Sequence, residues 1–562
     1  MEYDYVVIGG GTSGLVLSSR LAERGEKVLV IEAGIDPKND ENITSASNFV
    51  TNVGGSYDYG FSVTDTHVPM PRGKVLGGSS AINYILWNRP SKYEIELWHK
   101  LGIEGWSFEN VWKYMKKAET YIPPSQTQLE SFGMQAPHSK HYGSSGPITL
   151  SYQRYISPTD RRWLETIKNI GLPINENPHD GENLGANISP ITADPNKHRR
   201  TYGCTYLDAL PTASLDILTQ TMVHRIETVT EDGQIRATAV EYCSEGVTKS
   251  VKIRKEVVLT AGTINTPQIL ELSGIGDTNI LASHGIKEVL NIPTVGEYRG
   301  HYYPTLCYQL NDTVKNMDVL RQEEQIRREE AEKYRKGDPS LYHQAASCVL
   351  YLKPAQILTK EELDRLESLL REASSNEELV LAQYFLDERI PQVEIDMVGF
   401  FADLNSVPED GKKYVTFMVG LQHPFSKGSI HVSSSDVNDK PNITSNYNKH
   451  PIDRLLLSAA IRFIREKIVT GNPLTDIISK EVSPGRGVSV EEFIENAPAC
   501  DYHPSSSAKM GNNIDDSVVN SELKVHKTRN IRVSDASIIP LGLSSHIQSI
   551  VYAIAEKAVD LL

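Results

Sequence analysis

Residues 4–34 constrain the fold more than any other stretch of this chain. Residues 5–8, Tyr-Val-Val-Ile, form an apolar run of strand length; Gly9, Gly11 and Gly14 supply a G-x-G-x-x-G turn; residues 15–24 repeat apolar side chains at helical spacing. A second apolar run, 28–31, closes at Glu32. The spacing predicts one βαβ unit of the dinucleotide-binding kind. In such a unit Gly9 permits the tight turn, Gly11 lets the backbone approach a pyrophosphate and Gly14 allows the helix to pack on the sheet. The helix N-terminus offers free N–H groups to the phosphates, and Thr12 and Ser13, within the turn, are candidate cofactor contacts with them. Glu32 stands where a carboxylate accepts hydrogen bonds from a ribose diol, and its charge makes NADP the least expected occupant. The motif does not separate NAD from FAD.

With 562 residues, the chain is long enough for two or more domains. Its composition, 39% apolar and 23% charged, is that of a soluble globular protein. A net charge of −15, with no Lys/Arg cluster, argues against a nucleic-acid partner. No apolar run is long enough to span a bilayer, so no membrane partner is expected. The first strand begins too near Met1 to leave room for a signal peptide, and five scattered cysteines without C-x-x-C spacing read as reduced thiols. These features predict a cytoplasmic protein, while sequons at Asn42, Asn187, Asn311 and Asn442 point toward a secreted parent trimmed for expression.

Further along, the Asn-rich connection 35–59 is long for a plain loop and is expected to cover a ligand. The stretch 72–90 opens at Arg72 and places Gly77, Gly78 and Ser79 before an apolar run that includes Asn83. Small side chains there let the backbone lie against a flat ring; a glycine turn admitting a buried helix accounts for the spacing equally well. Residues 93–120 read as largely helical with Trp98, Trp106 and Trp112 as core anchors, and 158–171 and 200–210 as helices. Strands are expected at 215–219 and 222–226, and a small antiparallel sheet from 238–242 and 251–253. Residues 257–276 repeat the strand, glycine turn and helix, with Pro267 suited to a first helical turn. Beyond 311, the segments 322–336 and 359–373 read as solvated helices of an inserted domain, 393–398, 414–421 and 429–433 as strands, and 453–469 as a helix. The tail carries His503 in a turn-rich segment, a strand ending at Asp535 and Ala536, and His546 and Ile547 ahead of a final helix at 550–561.

Taken in order, these pieces resemble the glucose–methanol–choline (GMC) family of flavin oxidoreductases. The turn at Gly9–Gly14 with Glu32, the stretches 72–90 and 262–276, and His503, Asp535 and His546 match its successive signatures. The resemblance implies an α/β fold: a Rossmann-like FAD-binding domain with a mostly parallel sheet, beside an α+β substrate domain whose antiparallel sheet roofs the flavin. It implies FAD-domain segments at 1–150, 201–305 and 499–562 and substrate-domain segments at 151–200 and 306–498. Residue by residue, it assigns the pyrophosphate to Gly9, Gly11 and Gly14, the adenosine ribose to Glu32, the adenine to the backbone of Val223, flavin packing to Gly77, Gly78, Ser79 and Asn83, and the pyrophosphate and ribityl chain to Asp535 and Ala536. His503 and His546 match the pair facing flavin N5. Ile82 stands where some relatives carry a histidine bonded to the flavin, so dissociable, non-covalent FAD is expected.

The implied activity is oxidation of a small alcohol, hydride leaving carbon for the flavin while a neutral imidazole takes the hydroxyl proton, with oxygen or another acceptor reoxidising the flavin. Local wording is nearest to fungal formate oxidases, which carry an arginine where this chain has His546; that replacement disfavours formate. Residues 298–303 depart from the family's usual text. A non-redox hydroxynitrile-lyase activity, formate or aldehyde oxidation, and a non-catalytic FAD protein are the competing readings. No metal ligand set is evident in the sequence.

Overall fold

A computed structural model describes residues 2–38, 40–45, 52–208, 210, 215–497 and 499–562. Its fold is a two-domain α/β arrangement built on two large sheets. The first runs Leu215–Leu218, Val28–Ile31, Glu2–Ile8, Val247–Leu259, Gln234–Ser244 and Thr221–Glu231, with Ile531–Val533 also paired to Val247–Leu259. Pairing is parallel from Leu215–Leu218 to Val247–Leu259 and at Ile531–Val533. Residues 5–8 and strand Val28–Ile31, at the centre of this part, are apolar without alternation because both faces are covered. Helices Thr12–Glu23, Phe108–Ala118 and Gln548–Leu561 pack together against one another beside it.

The small antiparallel sheet expected at 238–242 and 251–253 is not separate. Strand Val247–Leu259 begins as an antiparallel partner of Gln234–Ser244 and ends as a parallel partner of Glu2–Ile8. Its charged middle, Lys252-Ile-Arg-Lys-Glu256, breaks the apolar pattern and hides that continuity in the sequence.

The second sheet is antiparallel throughout: Ile478–Ser483, Tyr302–Leu310, Tyr414–Leu421, Val393–Val398, Cys348–Leu352 and Gly185–Ile188. Its four central strands are buried along their whole length. Helix Pro451–Phe463 packs against Tyr414–Leu421.

Elsewhere the expected helices fall close to position and differ in their ends. Glu324–Lys336 stops at Gly337 in the left-handed region, and Lys360–Leu370 opens with a Thr359/Glu362 capping box. The long helix expected over 93–120 is divided into Lys92–Glu96, a 3₁₀ turn at Leu97–Leu101 and Phe108–Ala118, with Gly102 ending the first part. Within 200–210 the described residues form the end of the short strand Arg199–Arg200 and the 3₁₀ turn Gly203–Leu207, with no α-helix among them. Pro267 lies inside helix Gly262–Leu272 rather than in its first turn. A proline there frees the carbonyl four residues earlier, and the Ser507 hydroxyl donates to that Thr263 carbonyl at 2.6 Å. None of the described helices is long and apolar enough to cross a membrane.

Candidate functional site

A cavity, partly open to solvent, lies between the two sheets. Its wall includes Gly9, Gly11, Thr12, Ser13 and Glu32 from the first βαβ unit, and Val53 and Tyr59 from the long connection after it. Arg72, Gly78, Ser79 and Asn83 come from the glycine-rich stretch, Val223 from a neighbouring strand, and Asp535, Ala536 and Ile547 from the tail. His503 and His546 line the same cavity.

Gly14 and Gly77 do not face it. A Cβ on Gly14 would sit 1.9 Å from the Gly9 carbonyl oxygen, so this residue is small because helix and turn touch there. Gly77 donates its N–H to the Gly10 carbonyl at 2.8 Å and lies against the Tyr202 ring. Gly78 has φ +54°, and a Cβ there would approach the Gly11 Cα to 2.7 Å. The two glycine turns are therefore pressed together, and part of what the pattern Gly77-Gly78 encodes is their mutual contact.

The residues present fit FAD. Helix Thr12–Glu23 has Gly11 at its N-cap with no side-chain hydrogen bond, which leaves first-turn N–H groups for a pyrophosphate. Glu32 is buried, and its oxygens accept from the N–H groups of Gly10 and Gly34, each at 2.7 Å. Burial pushes its carboxyl up to about 7 despite those two bonds. Each carboxylate oxygen retains acceptor capacity suited to the hydroxyls of a ribose. Asp535 lines the cavity with its carboxylate held on both sides: one oxygen accepts from Gly262 N–H at 2.9 Å and the Thr266 hydroxyl at 2.7 Å, the other from Ser537 N–H at 2.8 Å. Its carboxylate joins the second glycine turn to the tail.

Under the antiparallel roof, the His503 and His546 rings lie with centroids 4.6 Å apart. The segment bearing His503 is held on two sides. Thr263 donates its hydroxyl to the Pro504 carbonyl at 2.7 Å, and Ser505 N–H donates to the Arg299 carbonyl at 2.8 Å. His546 precedes helix Gln548–Leu561, whose first residue donates to the Leu86 carbonyl at 2.9 Å and accepts from Asn83 at 2.9 Å.

The surroundings of the two rings differ in sign. His546 Nε2 lies 3.1 Å from Glu394 Oε1 and 3.5 Å from Asp396 Oδ2. Burial alone would lower its basicity, but the two carboxylates prevail and push its pKa up to about 10. His503 has Nδ1 at 3.2 Å from His301 Nδ1. Burial first, then His546, His301 and Arg72, hold it well below the ordinary value. His301 is itself brought down to about 3, chiefly by burial. One neutral imidazole thus sits beside one imidazolium. Asp396 is pushed up to about 7 by burial and by the charge of Glu394.

Glu394, Asp396, His301 and Tyr303 were not singled out in the sequence. Strand 393–398 was legible, and positions two apart share a face, so Glu394 and Asp396 necessarily point the same way. Two acids alternating with apolar residues read as a solvated face, whereas this face is the roof of the cavity. Tyr303 donates to Glu394 Oε2 at 2.7 Å, and Gln422 to the same oxygen at 3.0 Å. The departing segment 298–303 therefore supplies two neighbours of the imidazole pair, His301 and Tyr303. Two residues before His301, Arg299 is buried against Glu377 at 2.9 Å and donates to the Pro424 carbonyl at 2.7 Å.

A phosphate-binding turn, a buried carboxylate beside it and an antiparallel roof over two imidazoles, all on one cavity, define an oxidoreductase that uses FAD. The chain belongs to the GMC oxidoreductase family. Two models of that family, both described as GMC oxidoreductase, match residues 3–298 and 424–555. It is 31% identical to the GMC oxidoreductase family protein Mala s 12 of Malassezia sympodialis, over 100% of this chain and 92% of the relative. It is 29% identical to dehydrogenase mpl7 of Monascus purpureus, over 100% and 96%. Solved arginine-substituted variants of Aspergillus oryzae formate oxidase superpose with a TM-score of 0.88 at 26% identity, covering 100% of this chain and 98% of theirs.

Those variants overturn the expectation of a dissociable, non-covalent FAD, because they were made to follow FAD modification in the formate oxidase. The expectation rested on Ile82 alone. An apolar side chain at 82 removes one attachment point and carries no information about chemistry on the ring itself.

Proposed function

We propose that the chain oxidises the CH–OH group of a small alcohol, with His503 and His546 as its acid–base pair, to give an aldehyde or ketone. The observation that carries this reading is the pair itself: two imidazoles with ring centroids 4.6 Å apart on one cavity, one flanked by carboxylates and one by cationic and neutral groups. The cofactor would be held by Gly9, Gly11, Thr12, Ser13, Glu32, Val223 and the walls at Arg72, Gly78, Ser79, Asn83, Asp535, Ala536 and Ile547. Bound FAD supplies the two-electron acceptor for a hydride.

The chain's own part is proton handling and orientation. His503, its Nδ1 engaged with His301, takes the hydroxyl proton at Nε2, a step that contributes about 10²- to 10⁴-fold. His546, protonated between Glu394 and Asp396, donates to the substrate oxygen and stabilises negative charge developing there. The roof residues Tyr303, Val398 and Met418 exclude water from one side of the cavity.

The formate oxidase likeness brings formate into consideration. Two carboxylates facing one imidazolium leave this corner of the cavity no net positive charge, so an anion is a poorer donor than a neutral alcohol. Anaerobic mixing with a panel of primary and secondary alcohols, formate and a cyanohydrin separates the readings. Alcohols bleaching the flavin supports the proposal; bleaching by formate alone, or cyanide release with the flavin still oxidised, contradicts it.

A further inference from the structure

The face of strand Val393–Val398 that roofs the cavity carries more than an orienting group for one imidazole. Glu394, Asp396 and His546 each present one donor atom, and these atoms all lie within 4.8 Å of one another. Two of the separations, 3.1 Å from His546 Nε2 to Glu394 and 3.5 Å to Asp396, are those between neighbouring ligands of a tetrahedral site with bonds of roughly 2.0–2.2 Å. The 3.1 Å approach is close without hydrogen-bond alignment, and Glu394 Oε1 and His546 Nε2 are left without a hydrogen-bond partner, as is Asp396 Oδ1, the oxygen beside the Oδ2 that approaches the imidazole. Glu394 is fully buried and Asp396 is 5% exposed. Unsatisfied carboxylate oxygens that far from water are costly unless a cation meets them, and without a metal the His546 imidazolium is that cation, close to both acids but aligned for a hydrogen bond with neither.

Outer contacts already fit this role. Glu394 turns Oε1 toward the cluster because Oε2 is saturated by the Tyr303 hydroxyl and the Gln422 amide. Ligating carboxylates are characteristically oriented by such partners. Both acids stand on a central strand of the sheet, so their spacing is fixed by the backbone. Asp396 and His546 line the cavity, which gives an ion a way in and leaves a fourth position for a cavity water.

We propose that Glu394, Asp396 and His546 form a binding site for one divalent transition-metal ion of the Zn²⁺ class. One imidazole nitrogen with two carboxylates and an open fourth position is a donor set that suits zinc, while the nitrogen donor and the low ligand count disfavour Mg²⁺ and Ca²⁺. On binding, the metal takes the place of the proton that the His546 imidazolium carries at Nε2, and that proton is released to solvent. If His546 acts as proposed above, metal and alcohol oxidation are mutually exclusive, and zinc is an inhibitor.

Binding is measured apart from turnover. Equilibrium dialysis of the flavin-loaded protein against Zn²⁺, followed by metal analysis, is expected to show one saturable site that Mg²⁺ does not compete for. Asp396→Asn and Glu394→Gln should weaken it at least about tenfold, and Tyr303→Phe, which only loosens the orientation of Glu394, by about 10–100-fold. X-ray absorption at the zinc edge of the unaltered protein should report one imidazole nitrogen with oxygen donors, a result that depends on no variant folding. No saturable site, equal binding in the variants, or a shell of several imidazoles would overturn the assignment. Failure to oxidise any alcohol would bear on the proposed activity and leave this test intact.

Discussion

Glu394 Oε1 and His546 Nε2 are 3.1 Å apart although one stands in the middle of the antiparallel sheet and the other on the loop before the final helix. The contact joins the two domains at the cavity and fixes the protonation state of one member of the imidazole pair. Exchanging the carboxylate for its isosteric amide removes the larger opposing charge. Glu394→Gln is expected to lower the His546 pKa from about 10 and to slow flavin reduction by alcohol about tenfold or more. The alkaline limb of the rate profile should move to lower pH in the variant, since activity that needs the imidazolium is lost as pH rises through its pKa. A limb that stays in place would show that Glu394 does not control His546.

His503 is the neutral partner, and replacing it tests the base directly. His503→Ala should slow anaerobic flavin reduction by about 10²- to 10⁴-fold while FAD content and thermal stability stay near those of the parent. Unchanged reduction would move the base elsewhere.

Glu32 tests the other part of the cavity. Its oxygens face the nucleotide side of the first βαβ unit and accept from two backbone N–H groups. Removing a charged hydrogen-bond acceptor is worth about 1.5–3 kcal/mol, so Glu32→Ala should leave the purified protein with markedly less flavin per chain than the parent. The flavin-to-protein absorbance ratio of the two purified proteins measures it, and an unchanged ratio would contradict the role given to Glu32.

Glu377 links acid stability to the segment that departs from the family text. Burial opposes its charge, but Arg299, Lys509 and Lys427 outweigh burial and bring its pKa down to about 2. With the folded value below the ordinary 4.5, its contribution is complete above pH 4.5 and disappears as pH falls through about 2. The shift corresponds to on the order of 3 kcal/mol. Glu377→Gln should therefore lower the melting temperature at neutral pH and flatten its fall between pH 4.5 and 2. Parallel melting curves for the two proteins across that range would contradict the ion-pair account.

The parts of the molecule that could be read from sequence are those where local pattern and tertiary role coincide. The Gly9–Gly14 turn with its strands, the strand 393–398 and the final helix are local in that sense. His503 and His546 were identified only because the family's signatures surround them; as two of sixteen histidines they carry no signal of their own. What escaped notice depends on which surface an element meets. Alternation at Glu394 and Asp396 has the same form whether their face meets water or a cavity roof. Residues 298–303 looked like a loss of family text, yet they bring His301 and Tyr303 to the imidazole pair and bury Arg299. Gly77 and Gly78 looked like ring contacts, and their backbone geometry shows them pressed on Gly10, Gly11 and Tyr202 as well.

The central claim is that a hydride leaves an alcohol carbon while the imidazole pair handles the proton. It is tested most directly by anaerobic stopped-flow reduction of the flavin with the best alcohol donor and with the same alcohol deuterated at the carbinol carbon. The account predicts bleaching in a single phase that is markedly slower with the deuterated donor. Bleaching at the same rate with both donors, or a flavin that keeps its colour with every alcohol, would contradict it.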